Sequence, residues 1–140
     1  MIDKDVVFQK VNKIQNCLQR IYQTVKGDTG RLEDYGVQDI VTLNLQRAIQ
    51  LAIDLAAHVV RSSSYGMPKS LKDNFSLLYQ HQVIDADLKE KMERMVGFRN
   101  VAVHDYESIN PDILKSIVTH HLKDIEAFYT VMLRHIEKSR

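Results

Sequence analysis

The sequence predicts an all-α fold, a helical bundle of four longer helices and one short helix, with residues 1–140 forming a single domain. Apolar residues recur at steps of three and four along most of the chain, which is the spacing of helices with one buried face. No segment alternates apolar and polar residues as a β-strand does, and no internal repeat or low-complexity segment interrupts the pattern.

The first two helices are predicted over about residues 3–26 and 37–61, with a polar loop between them. The first carries a single apolar stripe, formed by Val11, Ile14, Leu18, Ile21 and Val25. The second is apolar around most of its circumference. Such a helix lies either at the centre of its bundle or between its own core and a partner chain.

Capping residues place the remaining helices. Ser70 begins a capping-box-like sequence and predicts the short helix. Asp85 is suited to cap the next helix, and Asn110 followed by Pro111 predicts the start of a last helix that runs to about Glu137.

Composition limits the classes of protein that the chain can represent. The formal net charge of +1 gives no general attraction to nucleic acid, so any such contact requires a local patch or a second chain. Cys17 is the only cysteine, which excludes an internal disulfide, and a buried, unreactive thiol is expected there. The N-terminus lacks a signal peptide, and no apolar run reaches the roughly 18 residues of a membrane span. We therefore expect a soluble cytoplasmic protein with no membrane partner.

Two pairs of residues that include histidine have spacings that suggest a structural or functional role. Asp54 and His58 are four residues apart on the second helix, so they could form a hydrogen-bonded structural pair or support a functional site nearby. Two candidate ligands are too few for a metal site, and we expect none. His120 and His121 lie about 100° apart on a helix and are expected to be structural or surface residues.

The segment at residues 97–106 concentrates the polar chemistry of the chain. It contains Arg99, Asn100, His104 and Tyr106 around a short apolar run at a predicted helix end. On a regular helix Arg99 and His104 would lie about 140° apart, so the helix is expected to finish near Val103. Taken alone, an arginine followed five places later by a histidine is weak evidence for a site.

In its wider context the segment resembles a known family. Arg99, His104 and Tyr106 match the motif of HEPN-domain proteins, in which four residues separate arginine from histidine and one residue separates histidine from tyrosine. The similarity is to the HepT-like branch, also called DUF86, and it extends through residues 95–98 and 48–58.

This resemblance implies a homodimeric endoribonuclease that needs no metal ion or other cofactor and acts as the toxin of a type VII-like toxin-antitoxin pair. Two copies of the motif would line a cleft between protomers and cleave an RNA such as tRNA or mRNA, with Arg99 and His104 as catalytic residues. The antitoxin of such a pair is a minimal, MntA-like nucleotidyltransferase, which silences the toxin by attaching AMP to the motif tyrosine, here Tyr106.

The chemistry of these side chains agrees with that expectation. Histidine can serve as the base and as the acid of RNA cleavage, and two copies of His104 would provide both. Arg99 would bind the scissile phosphate, whereas Asn100 could orient that phosphate or cap a helix end. Tyr106 could instead simply pack on the last helix. Alternative functions are a non-catalytic helical partner of a nucleotidyltransferase, which binds a nucleotide or acts as a scaffold, and a purely structural dimer.

Overall fold

The computed structural model of the protein describes residues 1–138, which form six α-helices and two short 3₁₀ helices. The α-helices are α1 (Lys4–Val25), α2 (Tyr35–Ser62), α3 (Asp73–Gln80), α4 (Ala86–His104), α5 (Pro111–His120) and α6 (Leu122–Lys138). The 3₁₀ helices span Thr29–Glu33 and Tyr106–Ser108. Residues 1–138 contain no β-strand, so the all-α prediction is confirmed.

Helix α2 is the central element of the bundle. It contacts α1, α3, α4, α5 and α6. Its buried residues occupy most of its circumference: Val41, Thr42, Leu45, Ala48, Ile49, Ala52, Ile53, Leu55, Ala56, Val59 and Val60. A central position accounts for this apolar pattern without a partner chain. The surrounding helices bury narrower stripes against α2, and the predicted stripe of α1 is buried along its whole length.

One continuous cluster of buried apolar side chains holds the helices together. Phe75 of α3 and Phe128 of α6 meet edge to face within it, with ring centroids 5.3 Å apart. Aromatic pairs of this geometry contribute about 0.5–1.5 kcal/mol beyond the burial of their surface. This contact ties the short helix to the last one. No helix among the described residues is long and apolar enough to cross a membrane.

The predicted caps fix the two helices that flank the polar segment. Asp85 accepts a hydrogen bond from the Leu88 N–H at 2.8 Å and so starts α4. Asn110 accepts one from the Asp112 N–H at 2.8 Å at the start of α5. Substituting such caps costs typically about 1 kcal/mol. The Ser70 hydroxyl likewise accepts from the backbone of α3.

The predicted single last helix is wrong, because the structure breaks it at His121 into α5 and α6. The His121 N–H still bonds the Ile117 carbonyl oxygen at 2.8 Å, but its backbone (φ −123°) leaves the helical region. Its ring Nδ1 lies 2.9 Å from a carboxylate oxygen of the buried Asp124 at the start of α6. No proline or glycine marks the break, so the sequence carries no local signal for it.

Candidate active site

The end of α4 carries the motif. The helix finishes at His104, where the Asp105 N–H closes the last turn on the Val101 carbonyl oxygen at 2.8 Å. The end lies one residue beyond the predicted one, so Arg99 and His104 are both helical. They project about 140° apart and lie about 7.5 Å apart along the helix axis. Within one protomer the two side chains therefore leave α4 in different directions.

Arg99 is the better-anchored of the two. Its side chain is half-buried, and Nη1 donates a hydrogen bond to Asn100 Oδ1 at 3.1 Å. The Nε group is buried and has no hydrogen-bond partner among the described residues. Unpaired buried donors are uncommon in folded proteins, and a catalytic role is one of the explanations for them. Asn100 thus contacts the guanidinium group, which the sequence did not predict. It lies inside α4 and does not cap a helix end, and its expected contact with a phosphate stays a prediction.

His104 and Val103 complete the surface around Arg99. Both are exposed, Val103 by 41%. Arg99, Asn100, Val103 and His104 together span an arc of about 140° of the helix circumference. We call these four residues the motif face. It presents a guanidinium group, an amide and an imidazole beside an exposed apolar side chain, which is a surface suited to an anionic ligand and to a protein contact.

Tyr106 lies in the short 3₁₀ helix just after α4 and is partly exposed. Its hydroxyl donates a hydrogen bond to Asp39 Oδ1 of α2. Burial and the hydrogen bond to the Asp39 carboxylate raise the pKa of Tyr106, so the phenol is protonated at neutral pH. Tyr106 therefore makes a specific hydrogen bond to α2. The alternative that it simply packs on the last helix does not account for this contact.

Asp39 is the contact residue that sequence reasoning missed. It lies 67 residues before Tyr106, on the exposed side of α2, and no local pattern connects the two. Only the packing of α2 against the end of α4 brings them together. Tyr106 and Asp39 both line a cavity of about 360 Å³ between α2 and the start of α5.

A second, apolar groove of about 270 Å³ runs between α4 and α5. Its walls include Phe98, Val101, Ile109, Ile113 and Ile117. Val101 and Ile113 remain 41% and 50% exposed there. Val101 lies about 160° from Val103 around α4, so this groove and the motif face occupy different sides of the helix.

Asp54 and His58 do not form the predicted hydrogen-bonded pair. Asp54 Oδ1 accepts from Gln50 Nε2 at 2.9 Å, and His58 Nε2 accepts from the Asp3 N–H at 3.1 Å. From Asp39 they are about 22 Å and 28 Å away along the axis of α2. Within one protomer they therefore lie well away from Tyr106.

The sequence also singled out Cys17, His120 and His121, whose surroundings are typical of structural or surface residues. Cys17 is half-buried and not, as expected, fully buried. Burial raises the pKa of its thiol, although Arg47 lowers it, in keeping with an unreactive cysteine. His120 is exposed and His121 is half-buried at the helix break. Among residues 1–138, no three His, Cys, Asp or Glu side chains are grouped so that they could hold a metal ion.

Comparison with known proteins gives consistent matches along nearly the whole chain. The family model described as ribonuclease HepT-like matches residues 3–132. The mRNA nuclease HepT of Shewanella oneidensis is 43% identical over 129 residues, which cover 91% of this chain and 96% of that protein.

Solved structures agree with these sequence matches. A toxin-antitoxin structure with AMP-PNP superposes with a TM-score of 0.88 at 40% identity, covering 93% of this chain and 98% of that one. A structure of a tri-AMPylated Shewanella oneidensis HEPN toxin in complex with MNT antitoxin gives the same TM-score, identity and coverage. With the family model covering most of its length and the motif intact at the end of α4, the chain belongs to the ribonuclease HepT-like family.

Proposed function

We propose that the protein is a ribonuclease toxin whose Arg99 and His104 cleave RNA in a homodimer without a metal ion. The observation that carries this proposal is the placement of an intact motif on an exposed helix end. One protomer provides only one of the two histidines that the reaction needs. The nuclease activity of a relative 43% identical supports the same conclusion.

Cleavage of RNA without a metal ion uses the neighbouring 2′-hydroxyl as the nucleophile. A base removes the 2′ proton as the new O–P bond forms, and an acid gives a proton to the departing 5′-oxygen as the old O–P bond breaks. The products are a 2′,3′-cyclic phosphate and a 5′-hydroxyl. A histidine suits either role near neutral pH, each worth on the order of 10²–10⁴-fold in rate.

One imidazole cannot be base and acid at the same moment, so a single His104 leaves the reaction without one partner. A twofold axis beside the motif face brings a second His104 into the same cleft. The exposed Val103 gives that contact an apolar centre. Dimerisation then completes the site, with one His104 as the base and the other as the acid.

Arg99 binds the scissile phosphate and the negative charge that grows on it in the transition state. Its guanidinium group is already oriented by Asn100 and half-withdrawn from water, which strengthens the interaction with an anion. Removing a comparable donor in other enzymes costs about 3–4 kcal/mol.

Modification of Tyr106 with AMP by a minimal nucleotidyltransferase antitoxin is the proposed off-switch. A relative at 40% identity has been solved as a tri-AMPylated toxin with its MNT antitoxin. In this chain Tyr106 is partly exposed and only two residues from His104. Each AMP adds a negative phosphodiester and the bulk of a nucleotide beside the motif face, and both oppose the binding of RNA. We expect the pair to act in the cytoplasm, on tRNA or mRNA.

The function is tested by RNA cleavage in the presence of EDTA. Wild-type protein should produce fragments ending in 2′,3′-cyclic phosphate. Arg99→Ala and His104→Ala should each lower the rate by at least about 100-fold. Arg94→Ala removes an exposed arginine from another side of α4 and serves as the matched control with unchanged rate.

The same assay tests the off-switch. Toxin treated with the antitoxin and ATP should lose its activity, whereas Tyr106→Phe should stay active after identical treatment. Wild-type protein that leaves a cellular RNA pool intact in EDTA would contradict the nuclease. Loss of activity in treated Tyr106→Phe would contradict Tyr106 as the modified residue.

A further inference from the structure

The Tyr106 hydroxyl has a single carboxylate against it. Asp39 Oδ1 accepts its hydrogen bond across the packing of α2 against the end of α4. Asp39 makes no ion pair among the described residues, and its side chain is exposed. The carboxylate is therefore not paired with a neighbouring cation and is in direct contact with the oxygen that would receive AMP.

Tyr106 is partly exposed, and together with Asp39 it lines the cavity of about 360 Å³, to which Tyr35, Gln38 and Glu107 also contribute. The lining contains carboxylates and hydroxyl groups, and no lysine, arginine or histidine is part of it. A nucleotide can approach through this opening, but the cations that bind its phosphates have to come from the modifying enzyme. Asp39 is thus placed to act on the tyrosine and not on the phosphates.

The chemistry of transfer requires such a group. Because burial and the contact with Asp39 raise the pKa of Tyr106, its phenolate is not formed in advance. A neutral phenol is a weak nucleophile, so its proton has to leave while the bond to phosphorus forms. A base within hydrogen-bonding reach of that proton is the geometric requirement, and Asp39 already meets it.

We propose that Asp39 is the proton acceptor when Tyr106 receives its first AMP. Tyr106 Oη attacks the α-phosphorus of ATP, and a new Oη–P bond forms. The bond from the α-phosphorus to the oxygen that bridges to the β-phosphorus breaks, and pyrophosphate leaves with that electron pair. The phenolic proton passes to the Asp39 carboxylate and then to water. The toxin therefore supplies one catalytic residue for its own silencing, an inference that rests on Tyr106 being the modified residue.

Asp39→Asn is the variant that separates proton transfer from simple positioning. Asparagine keeps an oxygen that can accept the Tyr106 hydrogen bond, but it cannot take the proton. With purified antitoxin, ATP and Mg²⁺, the initial rate of AMP addition, followed by intact mass, should fall about 100-fold. The remaining rate should rise about tenfold per pH unit between about pH 6.5 and 8.5, because hydroxide then has to remove the proton.

Two variants serve as controls. Asp105→Asn removes the carboxylate next to Tyr106 in sequence, which bonds the Ser108 hydroxyl at 2.5 Å, and should be modified at nearly the wild-type rate. Asp39→Glu restores a carboxylate and should recover part of the lost rate. Thermal unfolding verifies that the Asp39 variants are folded.

The outcomes distinguish this inference from the proposed function. Asp39→Asn modified at the wild-type rate, with Asp39→Ala slow, would show that residue 39 only holds the tyrosine and would overturn the inference. Wild-type protein that gains no AMP, or gains it on a residue other than Tyr106, would refute the off-switch itself.

Discussion

At the scale of single residues, Arg99 and His104 are held in different ways. Arg99 is half-buried and bonded to Asn100, so its orientation exists before any ligand arrives. His104 is exposed at the last position of α4. Preorganised donors lower the cost of stabilising charge in a transition state. In the proposed mechanism, the phosphate-binding group Arg99 is therefore already oriented in the monomer, whereas proton transfer requires a second His104 from the partner chain.

The neutral form of His58 makes a hydrogen bond that links α2 to the start of α1. Its Nε2 accepts a hydrogen bond from the Asp3 N–H at the start of α1, which a protonated ring cannot do. Burial lowers the pKa of His58 from its ordinary value of 6.5, with a smaller lowering by Arg61. The unfolded chain therefore binds more protons than the folded one between the lowered pKa and 6.5.

This gives a pH prediction with a definite sign. The contribution of His58 to the free energy of unfolding should be complete above about pH 6.5 and should decrease as the pH falls below it. His58→Gln, which does not titrate, should lose less stability than wild type between about pH 7.5 and 5. Thermal unfolding across this range measures the difference, with the exposed His120→Gln as control. Equal pH dependence in wild type and His58→Gln would refute it.

At the scale of elements, α4 separates two surfaces. The motif face carries Val103, and the apolar groove against α5 carries Val101. Both valines are 41% exposed, on the same helix, about 160° apart. A dimer that joins two copies of the motif has to cover Val103 and can leave Val101 exposed.

The two valines form a matched pair of tests. Val103→Asp places a charge at the centre of the proposed contact, where two like charges would meet across the twofold axis without compensation. We expect this variant to be monomeric in light scattering and to have lost its nuclease activity. Val101→Asp should remain a dimer with wild-type activity. A dimeric Val103→Asp, or a monomeric Val101→Asp, would place the interface elsewhere.

How far the sequence predicts each element depends on whether the signal is local. The stripe of α1, the caps Asp85 and Asn110, and the motif at the end of α4 all follow from neighbouring residues. The break at His121 does not, because α5 and α6 keep an apolar periodicity and no proline or glycine lies at the break. The sequence therefore predicts a single last helix.

At the scale of the whole molecule, tertiary packing creates contacts that local sequence patterns could not predict. The contact between Asp39 and Tyr106 joins residues 67 positions apart and exists only because α2 passes the end of α4. Helix geometry places Arg99 and His104 at the two edges of the motif face, about 140° apart, because α4 includes both residues. A second copy of the chain is the simplest way to complete such a site.

The central claim, that two His104 side chains act in one composite site, is tested most directly with a mixed dimer. Wild-type and His104→Ala chains with different affinity tags are co-expressed, and the heterodimer is isolated through both tags. Its rate of RNA cleavage in EDTA is then compared with that of the wild-type dimer. If one imidazole is the base and the other the acid, the heterodimer should retain at most about 1% of the activity. A heterodimer with about half of the wild-type activity would show that each protomer cleaves RNA alone and would contradict the composite site.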